Sequence, residues 1–62
     1  MIYLGIDVSK NKLDLCLLPG NGKKKTKTLK NHPDAGREIN DWLIRQKCHP
    51  EQVMVVLEAT GI

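Results

Sequence analysis

Phenylalanine is absent from this 62-residue chain, and one tryptophan and one tyrosine are its only aromatic residues. A surface that captures single strands by stacking bases needs several exposed rings, so that mode of nucleic-acid binding is not expected. Cysteine is nearly absent too: Cys16 and Cys48 form no framework and read as free cytosolic thiols. No apolar run approaches the ~18 residues that a membrane span needs. Asp7 interrupts the apolar opening segment and no cleavage site follows, which argues against a secretory leader. The expected setting is cytoplasmic, with no membrane partner.

A chain of this length makes one small domain, and such a domain buries only about 60% of its unfolded surface. The formal net charge is +3. That permits a nucleic-acid partner without demanding one.

Met1 to Val8 alternates, with Ile2, Leu4, Ile6 and Val8 on one face and Tyr3, Gly5 and Asp7 on the other. Ser9 to Lys12 is polar and turn-like, and Leu13 to Leu18 reads as a second strand with Leu13, Leu15 and Leu17 facing one way. Pro19-Gly20-Asn21-Gly22 is the strongest turn signal. Lys23 to Lys30 reads as a third, basic strand suited to a sheet edge. Pro33 fits the first turn of a helix capped by Asn31 or His32. Ile39, Trp42, Leu43 and Gln46 recur at i, i+3, i+4 and i+7, which gives that helix one buried stripe. Gly36 costs helix propensity and suggests close packing on the sheet. Val53 to Leu57 is apolar without alternation, the pattern of a strand buried on both faces, and it leads to Glu58. Ala59-Thr60-Gly61 is a possible helix start at its end, where backbone N–H groups would suit a phosphate.

The order is therefore βββαβ, an α/β arrangement. A crossover helix makes strands three and four parallel, and two hairpin reversals make strands one and three parallel. Strand four, the most apolar, belongs on the free side of strand one, which gives the sheet order 3-2-1-4. Asp7 and Glu58 then stand near the C-terminal ends of adjacent parallel strands, about 4.8 Å apart. Two charges at about 5 Å repel by roughly 3 kcal/mol at an effective dielectric near 20. A raised pKa or a bound cation relieves this, and magnesium, with oxygen ligands and retained waters, suits such a pair. Two strand-end carboxylates holding a metal over a basic surface point to phosphodiester cleavage. Asp14 is expected to pair with a lysine and is left outside the site. Lys10, Lys12, Lys23, Lys24, Lys25 and Lys27 are the candidate phosphate contacts, with a solvated hairpin and edge protection as the plainer alternatives. Cys48-His49 lacks further ligands at zinc spacing.

Tyr3-Leu-Gly-Ile-Asp-Val-Ser-Lys10, Leu13-Asp-Leu15 and Val55-Val-Leu-Glu-Ala-Thr-Gly61 resemble the N-terminal part of the insertion-sequence-110 family of bacterial transposases. Asn31, Gly36 and the Trp42-Leu43 pair also sit where that family's intervening helix has them. The resemblance spans essentially the whole chain. It implies a partial ribonuclease H-like fold of the RuvC-like type, carrying the first two acids of a DEDD set on Asp7 and Glu58 as catalytic metal ligands. It implies Mg2+ or Mn2+ as cofactor and DNA as partner, with a guide RNA engaged through the full-length protein. The family's two later aspartates and its serine-bearing second domain fall outside these residues, so the 62-residue chain is expected to be inactive alone. A homo-oligomer through the exposed edge of strand four is also expected. The alternatives are a RuvC-type junction resolvase fragment and a non-catalytic basic module for nucleic-acid binding or oligomerisation. An actin-like ATPase opening is disfavoured, because the Ser9 to Lys12 turn has no glycine to cradle phosphate.

Overall fold

Period-two alternation at the start of the chain produces β1 (Ile2–Val8), and its apolar face is the one that packs inward. In the computed structural model, which describes residues 2–20 and 22–59, β1 is followed by β2 (Lys12–Leu18), β3 (Lys25–Lys30), α1 (Ala35–Arg45) and β4 (Val53–Ala59). The four described strands form one sheet in the order β3-β2-β1-β4. The β1–β2 and β2–β3 pairs are antiparallel, and β1–β4 is parallel. Topology and order match the sequence-based expectation. Met1, and the suggested helix start at Thr60-Gly61, lie outside the described residues.

One face of the sheet carries the core. Leu4 is 0% exposed, Leu15 2% and Leu17 1%, and they pack with Ile6, Leu13, Leu29, Ala35, Trp42, Leu43 and Cys48 in a single cluster. Register explains the layer: Leu4 stands beside Leu17, Ile6 beside Leu15, and Leu13 beside Leu29. Each such leucine stabilises the fold by about 1.5–3 kcal/mol through removal from water. Among the described residues no helix lies over the opposite face, and Tyr3, Asp7, Leu18 and Thr28 are exposed there.

The connections are built from identifiable contacts. Ser9 N–H and its hydroxyl both donate to the Lys12 carbonyl, at 3.0 and 2.9 Å, and close the β1–β2 turn. Gly20 takes φ 87°, a left-handed value that suits glycine in the β2–β3 turn. Helix entry differs from the expected cap. Pro33 lies in a turn closed by the Ala35 N–H donating to the His32 carbonyl, at 2.9 Å, and the N-cap is Asp34. The Asp34 N–H donates to His32 Nδ1, so Nδ1 is the acceptor nitrogen and Nε2–H donates to the Glu38 carboxylate. His32 thus ties the entry turn to the first helical turn through its side chain.

The helix ends in a Schellman arrangement. The Cys48 N–H donates to the Leu43 carbonyl and the Lys47 N–H to the Ile44 carbonyl, both at 2.9 Å. Lys47 takes φ 62°, where glycine is usual. Leu43 and Cys48, at the two ends of the motif, are both buried. A short 3₁₀ turn, Pro50–Gln52, then delivers the chain into β4.

Three further expectations are corrected. Gly36 does not serve close packing: it is exposed, and a Cβ built on it would meet nothing within 4 Å. β4 is not buried on both faces. Met54, Val55, Val56 and Leu57 are 50, 49, 52 and 66% exposed. Val53 at the start of β4 is half-buried against the core, but Val55 and Leu57, which share the helix-side face with Leu4 and Ile6, lie beyond the cover of the cluster and are exposed. β3 is also shorter than expected and starts at Lys25, so Lys23 and Lys24 precede it.

Candidate functional site

Strand register assembles a row of polar side chains across the open face. Thr28 is level with Asp14, Asp14 with Asp7, and Asp7 with Glu58. Paired residues in a sheet point to the same side, so Thr28, Asp14, Asp7 and Glu58 lie in line across all four strands. The row exists because the three-residue turn after Val8 sets the hairpin register and because the crossover returns β4 in phase with β1. A one-residue slip of β4 would have sent Glu58 to the helix side.

Below this row, toward the N-terminal end of β1, Gly5 is flanked by Cys16 and Val56, with Thr26 beyond Cys16. These are small or medium side chains, and they leave a concave depression of about 560 Å³ lined by Gly5, Asp7, Asp14, Cys16, Thr28 and Glu58, among others. A Cβ on Gly5 would make only ordinary contact with the Cys16 carbonyl, at 3.9 Å. A glycine there keeps the floor low without being sterically required. The next row down, Tyr3, Leu18 and Met54, is apolar and exposed. Above the acids, Lys12 and Lys30 are paired on the same face.

The opening carboxylate is not buried. Asp7 and Glu58 are both exposed, so neither pays the desolvation cost of an interior charge. In that setting the repulsion between two carboxylates about 5 Å apart falls toward ~1 kcal/mol, below the ~3 kcal/mol of a partly desolvated pair.

Asp14, left out of the site on sequence, stands next to Asp7 in the row. It does pair with a lysine: Lys12 Nζ is 3.7 Å from Asp14 Oδ2, and the Thr28 hydroxyl donates to Asp14 Oδ1 at 2.8 Å. Both contacts hold the carboxylate in place on an exposed surface, where such an ion pair is worth about 0–1 kcal/mol. The hairpin register carried the signal that Asp14 shares the site. Asn31 was not singled out for this region. Its side-chain amide donates to the Ser9 carbonyl at 2.8 Å, and its N–H donates to the Asn11 carbonyl at 3.1 Å, so it fastens the turn that follows Asp7. Nothing in its local sequence signals that long-range role.

The candidate phosphate contacts do not form one track. Lys12 lies on the acidic face and Lys10 in the adjoining turn. Lys25 and Lys27 are level with Leu17 and Leu15 and so belong to the opposite, helix-side face of the β3 edge. Lys23 and Lys24 are exposed ahead of that strand. Cys48 is buried, and its thiol donates to the Gln46 carbonyl at 3.6 Å. Among the described residues, no group of three or more His, Cys, Asp or Glu side chains is arranged to hold a metal ion. Register does place two carboxylates, Asp7 and Glu58, side by side on adjacent parallel strands, and carboxylate oxygens are the hard donors that magnesium takes while keeping several of its waters. Among the described residues, no helix is long and apolar enough to cross a membrane. No protein-family model and no curated protein sequence matches the chain.

Proposed function

We propose that Asp7 and Glu58 hold a divalent cation, Mg2+ or Mn2+, and that this chain is the opening part of a RuvC-like nuclease domain of a transposase that cuts and rejoins DNA. The observation that carries the reading is the register match of Asp7 with Glu58 on neighbouring parallel strands, above an open depression. Two carboxylates side by side at strand ends suit a hard cation, and a cation there would polarise a phosphodiester and lower the pKa of a bound water. Asp7 and Glu58 supply the ligand oxygens. The Thr28 hydroxyl and the Lys12 ammonium fix Asp14 beside them, and the Lys12–Lys30 row lies one step away for a phosphate oxygen. With two ligands from the protein, the isolated chain binds metal weakly and completes no reaction.

The test is a Mn2+ titration followed by amide NMR. Paramagnetic broadening is expected first at Asp7, Glu58 and their neighbours Gly5 and Val56, and is expected to vanish in Asp7→Ala and Glu58→Ala. Uniform broadening that both variants retain would refute the site.

A second reading is favoured by one specific observation. Lys23, Lys24, Lys25 and Lys27 cluster around the β3 edge, and the two within the strand face away from the acids. In that reading the chain is a basic module that contacts nucleic-acid backbone without chemistry, with binding that falls steeply as salt rises. DNA binding lost on replacing these lysines but unchanged in Asp7→Ala and in the presence of Mg2+ would select it.

A further inference from the structure

The His32 ring stands at the entry to α1 with its two nitrogens engaged in opposite senses. Nδ1 accepts from the Asp34 N–H at 3.2 Å, and Nε2–H donates to the Glu38 carboxylate. Only the neutral ring makes this pair of bonds, because an imidazolium carries a proton on each nitrogen and accepts at neither. We propose that His32 is a pH-sensitive latch on the helix entry. When the ring takes up a proton, Nδ1 releases the Asp34 N–H and donates instead to the Asp34 carboxylate, while the Glu38 contact is kept.

Each part of the exchange is present at the entry. A proton added at Nδ1 would face the Asp34 N–H, donor against donor, where the neutral ring has a hydrogen bond. The Glu38 side has no reason to move, since Nε2–H is already the donor there and the contact becomes an ion pair. The bond at Nδ1 is therefore the one that changes. Asp34 offers its replacement from the same residue: its carboxylate makes no capping hydrogen bond to α1, and a χ1 rotation re-aims it. The acidic groups about the ring are Glu38 on α1 and Asp34 in the entry turn, and each is an acceptor for an imidazolium. Of the basic groups, Lys30 shares the open face with Lys12, on the side away from α1, and Lys10 and Arg37 are exposed. Histidine is the side chain whose ordinary charge change falls between about pH 5 and pH 8. The residue before the latch is Asn31, whose side-chain amide holds the turn after Asp7, so the exchange takes place next to that clasp. The proposal rests on contacts within the described chain and not on the metal reading.

An NMR titration of the full chain from about pH 8 to about pH 5.5 tests it, a range above the ordinary carboxylate values. At the upper end, the ring-nitrogen shifts of His32 should show a proton on Nε2 and none on Nδ1. As the pH falls, the Asp34 amide proton should move along the same curve as the His32 ring protons, and the couplings that report Asp34 χ1 should change in step. Hydrogen exchange at that amide, corrected for its intrinsic pH dependence, should speed up roughly two- to tenfold, the loss of one ordinary hydrogen bond. The far-UV circular dichroism spectrum should stay unchanged, because α1 is kept. His49, exposed at the start of the 3₁₀ turn after α1, is the internal reference. In His32→Ala the Asp34 amide should no longer respond in this range. A proton on Nδ1 at the upper end, an Asp34 amide that ignores the His32 curve or follows that of His49, fixed Asp34 χ1 couplings, or an equal response in His32→Ala would each overturn the proposal.

Discussion

Replacing Lys47 with glycine should stabilise the protein, and the size of the gain follows from the backbone. Lys47 sits at φ 62°, one residue past the C-cap of α1, in the position that glycine usually takes in a Schellman ending. A left-handed conformation costs an L-residue about 1–2 kcal/mol through the clash of Cβ with the carbonyl oxygen. Glycine removes that cost but gives the unfolded chain more freedom, worth about 0.4–1 kcal/mol in the other direction. The net expectation is a gain of about 0.5–1 kcal/mol, and each kcal/mol moves Tm by about 4–8 °C in a domain of this size. Lys47 is exposed, so little packing is lost with the side chain. Lys47→Ala is the control, since it keeps the Cβ and should leave Tm nearly unchanged. Urea unfolding monitored by circular dichroism, with m unchanged among the three proteins, gives the comparison. If the alanine variant gained as much as the glycine variant, or the glycine variant lost stability, the backbone argument would be wrong. The residue also matters for the site, because this ending turns the chain toward the strand that carries Glu58.

Further outcomes follow from the same physics. Gly36→Ala fills open space in the first turn of α1 and should add about 0.5–1 kcal/mol, read from the urea midpoint. Asn31→Ala removes the bond from the side-chain amide to the Ser9 carbonyl and should cost about 1 kcal/mol, with faster amide exchange in the turn after Asp7. Leu4→Ala truncates a side chain that is 0% exposed and should cost about 2.7–5 kcal/mol, comparable with the whole ~3–9 kcal/mol expected of a domain this short, so thermal denaturation should lose its cooperative transition.

The strands and their order were readable because alternation in β1 and β2 and the turn residues between them are local signals. The position of β4 beside β1 was inferred from an apolar run taken to mean burial. The position holds, but the run is exposed from Met54 onward, because composition says what a strand is able to bury and the described core cluster reaches only Val53 at its start. The Asp7–Glu58 adjacency followed from topology, whereas the membership of Asp14 in the same row depended on exact hairpin register, which polar turn residues do not declare. The split of the lysines between two faces was equally a matter of register, since Lys25 and Lys27 are out of phase with Thr26 and Thr28. The left-handed Lys47 had no signal, because neither glycine nor asparagine marks the helix end.

The central claim is that one cation is shared by the acids of the first and last strands, and a double-mutant cycle in Mn2+ affinity tests it most directly. With Asp7→Asn and Glu58→Gln, either change alone should remove most of the binding and the double variant should lose little more, the non-additivity of two ligands to one ion. Two independent losses that simply sum, or affinity that neither variant alters, would contradict it.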